Sequence, residues 1–312
     1  MTKFEKKSVL KKMKMNIDEL SNYYKELRKY NYEQGIPLKN IQTRRIIHEI
    51  PLSILKLDRV LSGEKVKIIS DERIDTSAPK IYACTHIGGK DIERVFEAIE
   101  EHCYLFLGDP GEIYKSPVGM LLNLNGMIPL ETRDKQDRKI AKERAVELLK
   151  KGGNLLIFPE GAWNITENLP VMKLFPGTVS MAIESGAEII PVAIEQENNT
   201  FYVSFGKNIK YINKNLEERH ELTSDLRDNL VTLMWDLWTE INNKMIRKEL
   251  PEDFKENYVS SIINKCDYGY TAQDVIETRY HDKTITTPEE AFSFKKKLIP
   301  SKKNAFLLKK LK

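Results

Sequence analysis

The chain has only three cysteines in 312 residues, Cys84, Cys103 and Cys266, and no C-x-x-C pair. That excludes a disulfide framework and fits a reducing compartment. Its five histidines, His48, His86, His102, His220 and His281, show no H-E-x-x-H spacing. No metal centre is therefore expected. There is no G-x-x-x-x-G-K-[ST] loop and no G-x-G-x-x-G after a strand, so the common nucleotide cradles are excluded. The absence of a G-x-S-x-G elbow argues against a serine hydrolase. GTVSM at 177–181 has the wrong spacing. No apolar run reaches 18 residues, so no spanning helix is expected. The start, MTKFEKKSVLKKMKMN, lacks the apolar core of a secretory signal.

Charge is plentiful and unevenly placed. The net charge is +4. Residues 1–70 hold 16 Lys/Arg against 8 Asp/Glu, and residues 291–312 hold 8 Lys and no acid. The body between them is acidic. Basic ends on an acidic body point to an anionic surface partner. No zinc-finger spacing or RNP-like string favours nucleic acid.

Hydrophobic periodicity divides the chain into three parts. Residues 1–60 read as a basic, helical segment, including IQTRRIIHEIPLSILKLDRVL, which Pro51 is expected to break into two helices. Residues 61–250 alternate strand and helix signals. The strands are VKIIS, IYACT, YLFL, MIPL, NLLIF, EIIPVAI and FYVSFG. A long helix runs from Asp134 to Lys151, and another spans 221–247. The pattern predicts an α/β fold, a mostly parallel or mixed central sheet covered by helices. Residues 251–312 read as a small helical appendage with a basic tail.

In such folds ligands sit beyond the carboxyl ends of the strands. THIGGKDIE (85–93) follows the strand IYACT directly and places His86 there. Gly88 and Gly89 let the loop turn sharply. The imidazole can then reach Asp91 in the first turn of the next helix. A carboxylate on one ring nitrogen fixes the tautomer and frees the other nitrogen to take a proton. Alternatively, His86 is an ordinary loop residue and Asp91 a helix N-cap. Cys84 is expected to pack below His86 rather than act as a nucleophile. NLLIFPEG puts Glu160 at a second strand end, either as a substrate contact or as a solvated turn residue. GMIPLETR ends at Arg133, whose guanidinium suits a phosphate or simply neutralises neighbouring acids. Lys173 and Lys90 are further candidate cations.

Taken in order, these stretches resemble the glycerolipid acyltransferase family of 1-acyl-glycerol-3-phosphate and other lysophospholipid acyltransferases. The resemblance rests on His86 and Asp91 separated by four residues and on Phe158-Pro159-Glu160-Gly161. Gly126 to Arg133 and the strand IIPVAI extend it to roughly residues 65–210. It implies that His86 is the general base and that Asp91 orients it. It further implies that Glu160, Gly161 and Arg133 form the acceptor site; Lys173, near the next helix start, is the next candidate cation there. Backbone N–H groups of Gly88 and Gly89 are candidate oxyanion donors. The implied donor is a thioester of coenzyme A or acyl carrier protein, and the acceptor a lysolipid or another alcohol. No cofactor is implied. The expected location is cytoplasmic and peripheral, on the inner face of the cell membrane. The rivals are an acyl thioesterase and a non-catalytic membrane-surface lipid-binding module. The chain departs from the family pattern at two cations. Arg133 stands one residue late, and Phe-Pro-Glu-Gly continues Ala162-Trp163-Asn164 instead of Thr-Arg.

Overall fold

A computed structural model describes residues 4–108, 111–166, 170–241, 253–264 and 271–278. Four helices come first: α1 (Val9–Met13), α2 (Ile17–Glu33), α3 (Ile41–Ile47) and α4 (Glu49–Leu61). Strands and helices then alternate through β1 (Lys65–Asp71), β2 (Lys80–Cys84), α5 (Asp91–Ile99), β3 (Cys103–Gly108), α6 (Pro117–Asn125) and β4 (Met127–Leu130). They continue through α7 (Lys135–Lys150), β5 (Asn154–Ile157), α8 (Gly177–Ser185), β6 (Glu188–Glu197), β7 (Thr200–Phe205) and α9 (Arg219–Glu240). Two helices follow, α10 (Phe254–Ile263) and α11 (Ala272–Thr278). The basic tail 291–312 lies outside the described residues.

The seven strands form one mixed sheet in the order β1-β7-β6-β2-β5-β3-β4. Only β6 and β7 are antiparallel; every other neighbouring pair is parallel. The register aligns Ile81 with both Leu155 of β5 and Ile189 of β6. All five residues of β2 and all four of β5 are buried, as expected for parallel strands covered on both faces.

Alternation along β2 divides the core. Ile81 and Ala83 face a cluster with Leu148, Val179 and Leu226 from α7, α8 and α9. Tyr82 and Cys84 face the opposite cluster, with Leu55, Phe96 and Leu122 from α4, α5 and α6. The result is three layers, helices on both faces of the sheet. Cys84 is fully buried, and burial pushes its thiol well above the usual range, with Asp91 and Glu160 adding to the shift. It packs below the loop, as expected, and is no thiolate nucleophile.

The 134–151 helix is present with a side-chain cap. Asp134 accepts hydrogen bonds from the N–H groups of Gln136 and Asp137. The inward residues Ala141, Ala145, Leu148 and Leu149 are all buried. The basic N-terminal segment is tied to the body rather than frayed. Arg28 on α2 makes paired bonds of 3.1 and 2.7 Å to Asp137 of α7. Tyr24 stacks on Tyr114 at 4.2 Å.

One boundary is corrected. The helix pair breaks at His48, not at Pro51. Pro51 occupies the first turn of α4, where a missing N–H costs no helical hydrogen bond.

Candidate active site

His86 sits two residues past β2, and its backbone is fixed from both sides. Thr85 continues the strand, its N–H donating to the carbonyl of Val192 at 3.0 Å. The His86 N–H donates to Glu160 Oε1 at 3.0 Å. The His86 carbonyl accepts from the Asn164 N–H at 2.7 Å. Because β5 neighbours β2, the Phe-Pro-Glu-Gly turn after β5 meets the histidine loop edge to edge.

The side chains complete the arrangement. His86 Nδ1 lies 2.8 Å from Asp91 Oδ2. The same oxygen accepts from the N–H groups of Ile87 and Gly88, both at 2.9 Å. Three donors on one oxygen hold the loop in a tight curl. Gly88 and Gly89 supply it with φ of +85° and +64°, where a Cβ would be strained. With Nδ1–H given to Asp91, Nε2 is the basic nitrogen. Asp91 Oδ1 is buried and accepts no hydrogen bond.

The N-cap reading of Asp91 is corrected. Lys90 is the N-cap and Asp91 the first helical residue of α5. Its side chain reaches back to the loop rather than forward to the helix amides. A negative charge at this position also suits the helix dipole.

Glu160 is fully buried. Its second oxygen, Oε2, accepts from the Met172 N–H at 2.7 Å. The segment carrying Met172 is braced in turn by Arg227 of α9, which donates to the carbonyls of Met172 and Val171 at 3.1 and 2.9 Å. Glu160 is thus a strut between two loops, and the solvated-turn reading gives way to it. Gly161 makes the turn possible at φ +72°, and its N–H returns to the Phe158 carbonyl at 3.0 Å. A Cβ there would lie 2.4 Å from Phe175 Cε2.

The remaining candidates separate. Gly88 N–H is already given to Asp91, so it is withdrawn as an oxyanion donor; Gly89 keeps that candidacy. Lys90 turns away to Asp58 at 3.2 Å and to Ser62 at 3.0 Å. Arg133 and Lys173 are both exposed. Arg133 follows β4, three strand spacings from β2, about 14 Å across the sheet. Lys173 adjoins Met172 and therefore lies beside the Glu160 strut.

Several contacts of the site carry no signal in the sequence. Phe158 stacks on the His86 ring at 4.1 Å, and Trp163 stands edge-on to it at 6.2 Å and 89°. Arg94, fully buried, joins α5 to the helix before the sheet. It donates to Asp58 at 2.5 Å, Glu64 at 2.8 Å, Glu97 at 2.7 Å and the Leu55 carbonyl at 3.2 Å. A buried cation needs such a complete set of acceptors.

Residues 65–195 match the family model described as Acyltransferase. A 1-acyl-sn-glycerol-3-phosphate acyltransferase of Borreliella burgdorferi is 25% identical over 189 residues, covering 57% of this chain and 74% of that protein. Residues 65–195 are thus similar to an acyltransferase domain. The chloroplastic 1-acyl-sn-glycerol-3-phosphate acyltransferase LPAT1 of Arabidopsis thaliana is 25% identical over 152 residues, 48% of this chain and 42% of that protein. Against that relative the chain spans less than half the length. The crystal structure of the 1-acyl-sn-glycerophosphate acyltransferase PlsC from Thermotoga maritima superposes with a TM-score of 0.51 at 15% identity. It covers 72% of this chain and 91% of that one, which supports the fold. Within residues 65–195 lie β1 to β5 and most of β6, with every contact made by His86, Asp91 and Glu160 described above. Helices α9, α10 and α11 lie beyond the matched residues.

Proposed function

We propose that this acyltransferase moves a fatty acyl group from a thioester of coenzyme A or acyl carrier protein to the free hydroxyl of a 1-acyl-glycerol 3-phosphate. The observation that carries this reading is the 2.8 Å contact between His86 and Asp91 at a strand end. His86 Nε2 takes the acceptor proton as the hydroxyl oxygen attacks the thioester carbonyl. Asp91 stabilises the imidazolium that forms. The Gly89 N–H is the candidate donor to the developing oxyanion. The C–S bond breaks, the new ester C–O bond forms, and the proton on His86 passes to the thiolate. No covalent acyl-enzyme is needed, since Cys84 is buried with its pKa raised.

Arg133 and Lys173 are the proposed contacts for the acceptor phosphate. An acceptor panel of lysophosphatidate, lysophosphatidylcholine and glycerol tests the reading. Lysophosphatidate is expected to be the best acceptor. Arg133→Ala and Lys173→Ala should raise its KM and leave the donor KM unchanged. Equal use of all acceptors, with unchanged KM in both variants, would refute phosphate recognition.

The protein is proposed to work at the inner face of the cell membrane without crossing it. No described helix is long and apolar enough to span a bilayer. The helices before the sheet present an apolar ridge instead. Ile46, Ile50, Ile54, Leu57 and Leu61 recur at helical spacing on α3 and α4 and are 42–79% exposed. Met120 and Leu124 of α6, which packs beside α4, add to it. Leu55 of the same helix faces the core, and Ile47 is half-buried. Such a ridge, with the basic N-terminal helices around it, suits shallow insertion into an anionic leaflet.

The double variant Ile54→Glu/Leu57→Glu removes two inserted side chains worth about 1.5 kcal/mol each. Sedimentation with phosphatidylglycerol vesicles should weaken about a hundredfold. Binding that survives the double variant unchanged would place the attachment elsewhere.

A further inference from the structure

We propose that Trp163 and Ile262 form an apolar wall that keeps water from the acyl thioester at His86, so that the site transfers the acyl group instead of hydrolysing the donor. The proposal rests on the acyl-transfer reading above.

The wall closes on Gly88, whose missing side chain leaves room for it. A Cβ on Gly88 would lie 3.0 Å from Trp163 Cδ2 and 3.1 Å from Ile262 Cγ2. The indole and the isoleucine therefore both rest against the backbone of the histidine loop. They come from different parts of the chain. Trp163 follows the Phe-Pro-Glu-Gly turn. Ile262 belongs to α10, beyond the matched domain, and is 4% exposed. Trp163 is edge-on to His86 on one side while Phe158 stacks on its face. The His86 side chain is left 8% exposed.

Transfer and hydrolysis share their first requirements. Either alcohol or water can give its proton to His86 and attack the same carbonyl. Each route breaks the C–S bond and releases one thiol. Transfer yields an ester, and hydrolysis yields a fatty acid. Water is smaller than any acceptor, so a pocket shaped for the alcohol cannot reject it by size. It is rejected by denying it a hydrogen-bonded place near the base. The indole face and the isoleucine side chain offer no such place. The position where the family pattern has a cation is therefore occupied by a residue that dries the site.

The test uses the full-length protein with palmitoyl-CoA and lysophosphatidate, measuring free thiol and acylated lipid separately. Wild-type protein should release thiol in only slight excess over acylated lipid, the excess measuring hydrolysis. Trp163→Ala and Ile262→Ala should each raise the ratio of hydrolysis to transfer about tenfold, the scale of a few lost methylenes in an apolar pocket. Trp163→Phe and Ile262→Leu should restore the wild-type ratio. Melting temperatures identify variants that fail to fold, for which Trp163→Leu and Ile262→Val make the same comparison. A purely structural wall would slow both reactions alike, and an unchanged ratio in the alanine variants overturns the proposal. Wild-type protein that releases thiol with no acylated lipid overturns the transfer reading itself.

Discussion

Replacing His86 with alanine is expected to lower acyl transfer ~10²–10⁴-fold, the usual contribution of a positioned general base. The acceptor hydroxyl is a poor nucleophile until its proton has somewhere to go. His86 is the residue at this strand end with a basic nitrogen, fixed by Asp91 at 2.8 Å. The backbone bonds to Glu160 and Asn164 do not use the side chain, so the loop should persist. Steady-state transfer rates with melting temperatures make the comparison. Asp91→Asn should reproduce most of the loss. An asparagine oxygen still accepts from Ile87 and Gly88, but the amide carries no charge to stabilise imidazolium. A folded His86→Ala protein with near-normal turnover would remove His86 from the mechanism.

Glu160→Ala should be the most damaging change to the fold at this site. The carboxylate is fully buried and accepts the N–H groups of His86 and Met172. Its removal strands two buried donors, each costing about 1–3 kcal/mol. Glu160→Gln is only a partial remedy, because its amide nitrogen is a donor facing a donor. Urea denaturation should show a clear loss of stability, and the residual transfer should fall in kcat as His86 loses its anchor. The acceptor KM should hold. A stable variant with a raised acceptor KM would instead make Glu160 a substrate contact.

The contrast between Glu160 and His86 shows what the sequence could convey. Buried parallel strands read as apolar runs, so the sheet and the strand-end position of His86 followed from periodicity. The helix at 134–151 carried its own cap and its own stop. Short-range geometry was also legible, because two glycines and a four-residue gap bring His86 to Asp91 by local turning. Glu160 was not. After a strand and a proline, a glutamate is ordinarily exposed, and only amides contributed by other loops draw it inward. Arg94 hides in the same way, since Asp58 and Glu64, both distant in sequence, must join Glu97 before its burial is tolerable. Ile262 lies in a segment whose weak periodicity gave no hint that it reaches the histidine loop.

The most direct test follows a labelled acyl chain through a single turnover. With radiolabelled acyl thioester and lysophosphatidate, label should leave the donor and appear in diacylglycerol 3-phosphate in step with thiol release. No label should remain on the protein, and His86→Ala should slow the transfer ~10²–10⁴-fold. Label retained on the protein, or thiol released without a labelled lipid, would contradict direct transfer assisted by His86.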